Sequence, residues 1–303
     1  MTISRVWPPL AEGSSKRWFA VLQLIRLPNL FTAMADSLAG YLIVHGRAIS
    51  PLDLFGLMLA SALIYGGGCA INDLCDRELD QWQRPKRPIP SGAVSPRAAL
   101  LLGLSLLALG LVAAALVSWA ALEVAALLVV LVLCYDGLTK EMPVLGSLTM
   151  AACRGGNLLL GMVTGGPAGV VLLLPLISMG YVFGLTALSK FETANPTPHR
   201  ARAIVLGLGA GLALPAMLVW GGYLAPTALV GLVVLVGLVG LPLGQWLRRP
   251  GSVTAGRAVT ALVFGVAVLD AVYVLGRVEW WLALPVVGCS LLAWLTARSL
   301  AVH

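Results

Sequence analysis

Hydrophobic residues run along this chain in blocks of about 20, divided by short polar punctuation, and not in the alternation of half-buried strands. A block of that length crosses a hydrocarbon core about 30 Å thick as a helix. The blocks predict spans at 18–43, 51–71, 97–117, 119–135, 144–164, 168–188, 203–221, 225–246, 256–275 and 279–298. The gaps after residues 117 and 221 are so short that each flanking pair reads as a tight helical hairpin. Short alternating segments with regular turns, the pattern of a membrane barrel, are absent. The expected fold is all-α: a polytopic transmembrane helical bundle of nine or ten spans. The last four spans are the weakest, because stretches such as GLVVLVGLVGLPLG tolerate broken helices.

Composition narrows the class. Of 303 residues, 59% are hydrophobic and 11% charged, and mean hydropathy is +0.93. Soluble domains carry about 25% charged residues, so this chain cannot clothe a water-facing surface. The net charge of +7 marks membrane orientation here, because no exposed basic face with interleaved aromatics points to nucleic acid. Sixteen of the 20 Lys and Arg fall in alternate polar segments on one side: Arg5, Lys16, Arg17, Arg77, Arg84, Lys86, Arg87, Arg97, Lys140, Lys190, Arg200, Arg202, Arg248, Arg249, Arg257 and Arg298. Arg47 and Arg277 fall on the other, while Arg26 and Arg154 lie within spans. This asymmetry predicts a cytoplasmic N-terminus, an even number of spans and ten over nine. Residues 1–17 then read as a cytoplasmic tail and 18–303 as one transmembrane domain embedded in the lipid bilayer. The N-terminal stretch has no short apolar core of a cleaved signal peptide. Cys69, Cys75, Cys134, Cys153 and Cys289 form no CxxC pair and imply neither disulfides nor zinc.

Against this background, the polar segment after the second span carries chemistry: AINDLCDRELDQWQRPKRPIPSG. Asn72, Asp73, Asp76 and Asp80 fall within an arc of about 100° on a continuous helix, with Glu78 on the opposite side. Three carboxylates on one face repel unless a cation lies between them. Oxygen ligands without His or Cys select a hard ion, and Mg²⁺ takes one or two carboxylates plus waters and phosphate oxygens. Arg84, Lys86 and Arg87 follow at once and supply positive charge for an anion. The reading is a metal-bridged diphosphate site at the cytoplasmic membrane end; the plainer one is a solvated acidic helix end beside positive-inside residues.

The segment N72-D73-x-x-D76-x-x-x-D80, followed by R84-P85-K86-R87-P88 and S91-G92, resembles the first aspartate-rich motif of the UbiA superfamily of intramembrane prenyltransferases. The likeness extends to R26-L-P-N29, to Y135-D-G-L-T-K140, and to a polar loop after the sixth span. It implies a bundle around a central cavity open laterally to lipid. It further implies that Mg²⁺ binds the diphosphate of a polyprenyl donor, the C–O bond ionises, and an acceptor captures the allylic cation. On this resemblance Asn72, Asp73, Asp76 and Asp80 hold the metal, Arg84, Arg87 and Lys140 stabilise the leaving group, and Glu192 supports a second ion. Arg26, Asn29, Tyr135 and Lys190 join them as substrate contacts. The acceptor and the oligomeric state are not legible.

The chain departs from the family in its second motif. Where further aspartates are expected after a Lys, it reads LSKFETANPTPHRAR, with Lys190 retained, Glu192 and Asn195 three apart, and Pro198-His199 at the end. The alternative to an active prenyltransferase is a non-catalytic relative that binds or carries an isoprenoid within a pathway complex. Inside the spans, Arg154 and Asn157 share a helix side and face either a substrate anion or a carboxylate such as Asp36. Asp136 and Lys140 have the spacing of a helix-surface ion pair. Asp270 reads as a structural hydrogen-bonded group or an acceptor-side base. Tyr65, Tyr135 and Tyr181 are candidates to shield a carbocation. Trp7, Trp18, Trp82, Trp246, Trp280, Trp281 and Trp294 sit near span ends and read as interfacial anchors.

Overall fold

The computed structural model describes residues 14–192 and 198–300, with side chains from 18 to 191 and from 199 to 298. Its helices are α1 Ser14–Leu24, α2 Leu27–His45, α3 Pro51–Cys75, α4 Arg77–Gln83, α5 Pro96–Val117, α6 Trp119–Cys134, α7 Pro143–Met162, α8 Leu173–Ser189, α9 Pro198–Trp220, α10 Ala228–Arg248, α11 Ser252–Arg277 and α12 Ala283–Leu300. Among the described residues there is no strand. The starts follow local chemistry. Pro51, Pro96 and Pro143 open α3, α5 and α7, where the missing N–H costs nothing. Ser95 and Ser118 cap α5 and α6 by accepting the N–H groups of Ala98 at 3.2 Å and Ala121 at 3.0 Å.

Nine described segments are long and apolar enough to cross a membrane: all ten predicted spans except that of α7 have a counterpart. The α7 segment is still a 20-residue helix, and its ends lie at opposite ends of the bundle. At one, Lys190 reaches the Pro143 carbonyl; at the other, Thr164 meets His45. The long helices thus alternate between two ends. Arg26, Asp73, Arg87, Lys140 and Lys190 gather at one, and Arg47 pairs with Glu279 at the other. The chain is therefore an integral, multi-pass membrane protein.

The first predicted span, 18–43, is corrected. Arg26 breaks it, adopting the left-handed conformation with φ 51° and ψ 56°, so that α1 stops at Leu24 and α2 starts at Leu27. Arg26 is the one non-glycine residue with positive φ among those described. Such a conformation persists only where the surroundings enforce it. Helix α1 instead packs Ala20 and Leu24 against Ala70, Ile89, Val94 and Ala99, while Trp18 stays exposed.

Helix α2 is the axis of the bundle and packs against α3, α7, α11 and α12. Of its apolar window 67% is buried, against 17% for α9, which lies on the periphery. In lipid, apolar side chains gain little by leaving the solvent for one another, so close packing and polar contacts must hold helices together. The axis shows both. Gly40 of α2 abuts the backbone of Leu158 and Met162 in α7, and Gly161 of α7 abuts the backbone of Ser37. One turn away, at mid-depth, Arg154 Nε lies 2.8 Å from Asp36 Oδ2. Arg154 also donates to the Thr32 carbonyl at 3.0 Å, and Asn157 donates to Asp36 Oδ2 at 3.0 Å and to the Ala33 carbonyl at 2.8 Å. Asp270 of α11 approaches the same carboxylate. By contrast, α9 and α10 leave between them an apolar groove of about 460 Å³, lined by residues such as Leu208, Leu212, Val239 and Leu243.

Candidate active site

The site is built where α3 ends. The motif does not lie on one continuous helix as the spacing predicted. Asp76 leaves the helix with φ −86° and ψ 1°, ending α3 and starting the seven-residue α4. Main-chain bonds bridge the break, from Asp76 N–H to the Asn72 carbonyl at 2.9 Å and from Asp80 N–H to the Asp76 carbonyl at 2.8 Å. The expected side therefore survives as an angled surface. Asp73 and Asp80 face inward at 5% and 3% exposure, while Glu78 points out and pairs with Arg77. Beyond α4, the Arg84–Val94 segment turns back on itself through bonds from Arg87 N–H to Arg84 and from Val94 N–H to Pro88, with Gly92 at φ 77°. That turn brings Arg87 over the acids. Its Nη1 donates to Asp80 Oδ2 at 2.6 Å and to Asp73 Oδ1 at 3.2 Å.

Two other parts of the chain close on the same acids. From the α1–α2 break, Arg26 Nη2 donates to Asp73 Oδ1 at 2.9 Å and to Asn72 Oδ1 at 3.2 Å. From the α6–α7 connection, Lys140 pairs with Asp76. The residues between, Tyr135–Thr139, form a π-helical turn, closed by a bond from Lys140 N–H to the Tyr135 carbonyl at 3.0 Å. Lys140 bonds Asp76 and not Asp136, so the direct ion pair that the spacing of Asp136 and Lys140 allows is not the one formed. Asp136 is buried and its Oδ1 accepts from Asn72 Nδ2 at 2.8 Å. Sequence reasoning missed Asp136 as a member of this cluster. Buried carboxylates persist only with charged or hydrogen-bonded partners. Here four carboxylates, Asp73, Asp76, Asp80 and Asp136, face three cations, Arg26, Arg87 and Lys140.

Other predicted residues fall outside this cluster. Arg84 and Lys86 are exposed. Asn29 and Tyr65 lie together below Arg26, half-buried. Tyr135 is half-buried at the start of the π-helical turn. Lys190 donates to the carbonyls of Met142 and Pro143 at 3.3 and 2.8 Å; burial lowers its pKa below the usual lysine range, partly offset by Glu141. Glu192 ends a 3₁₀ turn, but its side chain and Asn195 lie outside the described residues, as does Trp7. Arg154 and Asn157 are committed to Asp36. Tyr181 is corrected: it sits mid-helix, buried, with its hydroxyl donating to the Leu262 carbonyl at 2.9 Å. Trp246 is corrected too, being fully buried beside Phe191 and no interfacial anchor. Trp18, Trp82, Trp280, Trp281 and Trp294 are exposed as expected. All five cysteines are free.

The donor chemistry suits a hard cation held partly by a ligand. Each ion pair uses one oxygen, Asp73 Oδ1, Asp76 Oδ1 or Asp80 Oδ2, and leaves the other without a protein partner among the described residues. No group of three or more His, Cys, Asp or Glu side chains among those residues is placed to hold a metal ion by itself. Mg²⁺ wants this arrangement: one or two carboxylates, with waters and phosphate completing the shell.

A family model described as the UbiA prenyltransferase family matches residues 33–250. The digeranylgeranylglyceryl phosphate synthase of Methanoculleus marisnigri is 30% identical over 279 residues, covering 86% of this chain and 98% of that protein. The synthase of the same name from Methanothrix thermoacetophila is 36% identical over 159 residues, 52% of this chain and 59% of the relative. Among solved structures, one of a digeranylgeranylglyceryl phosphate synthase superposes with a TM-score of 0.70 at 22% identity, covering 86% of this chain and 99% of the other. A UbiA homologue from Archaeoglobus fulgidus bound to GPP and Mg²⁺ gives 0.53 at 14% identity, covering 89% and 99%. The two structures speak to fold, and the sequence matches to kinship. With the family model spanning most of the transmembrane bundle and its first aspartate-rich motif, the chain belongs to the UbiA prenyltransferase family and is a membrane prenyltransferase.

Proposed function

We propose that this chain transfers an isoprenoid chain from a prenyl diphosphate to a hydroxyl acceptor at the basic end of the bundle, and that this end faces the cytoplasm. The observation that carries the reading is the convergence of Asn72, Asp73, Asp76 and Asp80 with Arg26, Arg87 and Lys140, from three separate parts of the chain, at one membrane end. The acceptor class that the names of the relatives support is a glyceryl phosphate bearing an isoprenoid. The side of the membrane rests on the one-sided basic loops.

Mg²⁺ held by Asn72, Asp73, Asp76 and Asp80 would neutralise diphosphate charge. Arg26, Arg87 and Lys140 hydrogen-bond the diphosphate oxygens and favour the charge that develops as the C–O bond breaks. The electron pair of that bond leaves with the diphosphate; the acceptor oxygen then bonds to the allylic carbon and loses its proton. Glu192 would support a second ion, and Asn29, Tyr135 and Lys190 would add substrate contacts. Arg84 contributes only long-range charge, since it is exposed. Arg154 and Asn157 hold α2 to α7 and leave the substrate to the residues above them.

The test uses membranes containing the full chain, Mg²⁺, labelled geranylgeranyl diphosphate and a prenylated glyceryl phosphate. The wild type releases diphosphate and forms the ether; EDTA stops both, and added Mg²⁺ restores them. Asp76→Asn combined with Asp80→Asn abolishes turnover. Full turnover in that double variant, or no release by the wild type across several donors and acceptors, overturns the reading.

A further inference from the structure

Asp136 lies beside the motif without belonging to it, and its one side-chain bond goes to Asn72. An asparagine amide offers an oxygen on one side and an NH₂ on the other, and its neighbours decide which faces where. Here both neighbours decide the same way. The Asp136 carboxylate accepts and so draws Nδ2, at 2.8 Å. The Arg26 guanidinium only donates and so draws Oδ1, at 3.2 Å. Reversing the amide sets donor against donor and acceptor against acceptor at once. The result is that Asn72 Oδ1 and Asp73 Oδ1 converge on the same Arg26 nitrogen.

The π-helical turn makes this possible. In an α-helix Asp136 and Lys140 would stack and neutralise one another. With the turn widened, Lys140 goes to Asp76, and Asp136 is left buried with its charge directed at the amide. Asp136 also brings a further carboxylate to a chain whose segment after α8, Ser189–His199, carries only Glu192 as an acid.

We propose that Asp136 is a positioning residue for cation binding. It holds Asn72 with its carbonyl oxygen turned toward the Asp73 side, as a ligand for the hard cation, and its negative charge offsets the short supply of carboxylates in the later loop. This rests on the function proposed above and deepens it. A carboxylate that orients a ligand in this way is worth about 10–100-fold in metal affinity.

The test reads metal binding directly, by electron paramagnetic resonance titration of Mn²⁺ into the purified full chain in detergent, without donor or acceptor. Asp136→Leu weakens Mn²⁺ binding by about 10–100-fold, and Asp136→Asn, which can still accept from Asn72 but has lost the charge, falls between it and the wild type. The exchanged pair Asn72→Asp with Asp136→Asn restores binding, because position 72 then presents an oxygen in either orientation and the amide introduced at position 136 donates back to it. A purely structural Asp136 gives no such rescue. If Asp136→Leu does not fold, Asp136→Asn and the exchanged pair carry the comparison. Wild-type affinity in the folded Asp136 variants overturns the role of Asp136 alone, as does an exchanged pair no better than Asp136→Asn. A wild-type chain that binds no Mn²⁺ overturns both this role and the metal-assisted reading beneath it.

Discussion

Replacing Asp36 by Asn removes one charge from the centre of the bundle while keeping almost the same volume. Arg154 then loses the carboxylate 2.8 Å from its Nε and keeps the Thr32 carbonyl at 3.0 Å and hydroxyl at 3.5 Å. The two side chains are 14% and 2% exposed, so water compensates little. An ion left buried without its partner costs about 3–5 kcal/mol. For a chain of this size that is a fall in melting temperature on the order of 10 °C. Asp270, which lies close by, keeps the loss toward the lower figure. The assay is thermal unfolding of the purified protein in detergent, followed by tryptophan fluorescence, for Asp36→Asn, Arg154→Leu and both together. The double variant carries no unpaired charge and melts above Asp36→Asn. A single variant melting within about 2 °C of the wild type, or a double variant whose loss is the plain sum of the two, would refute the reasoning.

Two further outcomes follow from the same geometry. Arg87→Ala strips the shared partner from Asp73 and Asp80 and lowers kcat by about 100-fold, whereas the exposed Arg84→Ala stays within about twofold; steady-state kinetics with prenyl diphosphate read both, and equal effects refute the distinction. Gly161→Ala drives a methyl group into the Ser37 backbone and costs at least about 1–3 kcal/mol, seen as reduced folded yield in size-exclusion chromatography, while Gly180→Ala, in open space, leaves yield unchanged.

Much of this molecule was legible in its residues because lipid imposes a simple rule: long apolar blocks become helices, and charges mark their ends. The block of α7 is the instructive case. Arg154 and Asn157 lower its hydropathy below that of the other long helices, yet the alternation of basic loops still demanded a crossing there. The misreadings came from local backbone geometry. In R26-L-P-N29 only Pro28 signals a helix start, and nothing local announces a left-handed arginine whose side chain reaches Asn72 and Asp73, 46 and 47 residues away. Nothing in Y135-D-G-L-T-K140 announces a π-helical turn, so the i,i+4 rule paired Asp136 with the wrong partner. The angled motif at Asp76 is the same kind of case. Spacing predicted which side chains share a side, and tertiary contacts decided where the helix bends. Trp246 and Tyr181 were misplaced for a related reason: distance along the sequence from a span end says little about which neighbour a ring meets.

The interlock of Gly40 and Gly161 has a mechanical consequence. Where a methyl group would already collide with the facing main chain, two helices have no slack to slide or roll, so α2 and α7 move as one body. Gly207, Gly209 and Gly211 of α9 and Gly237, Gly240 and Gly244 of α10 have nothing within 4 Å of where a Cβ would stand. The paired α2 and α7 therefore form a wall that keeps the Arg26 end of α2 in register with the aspartates, while the glycines between α9 and α10 leave the groove there open.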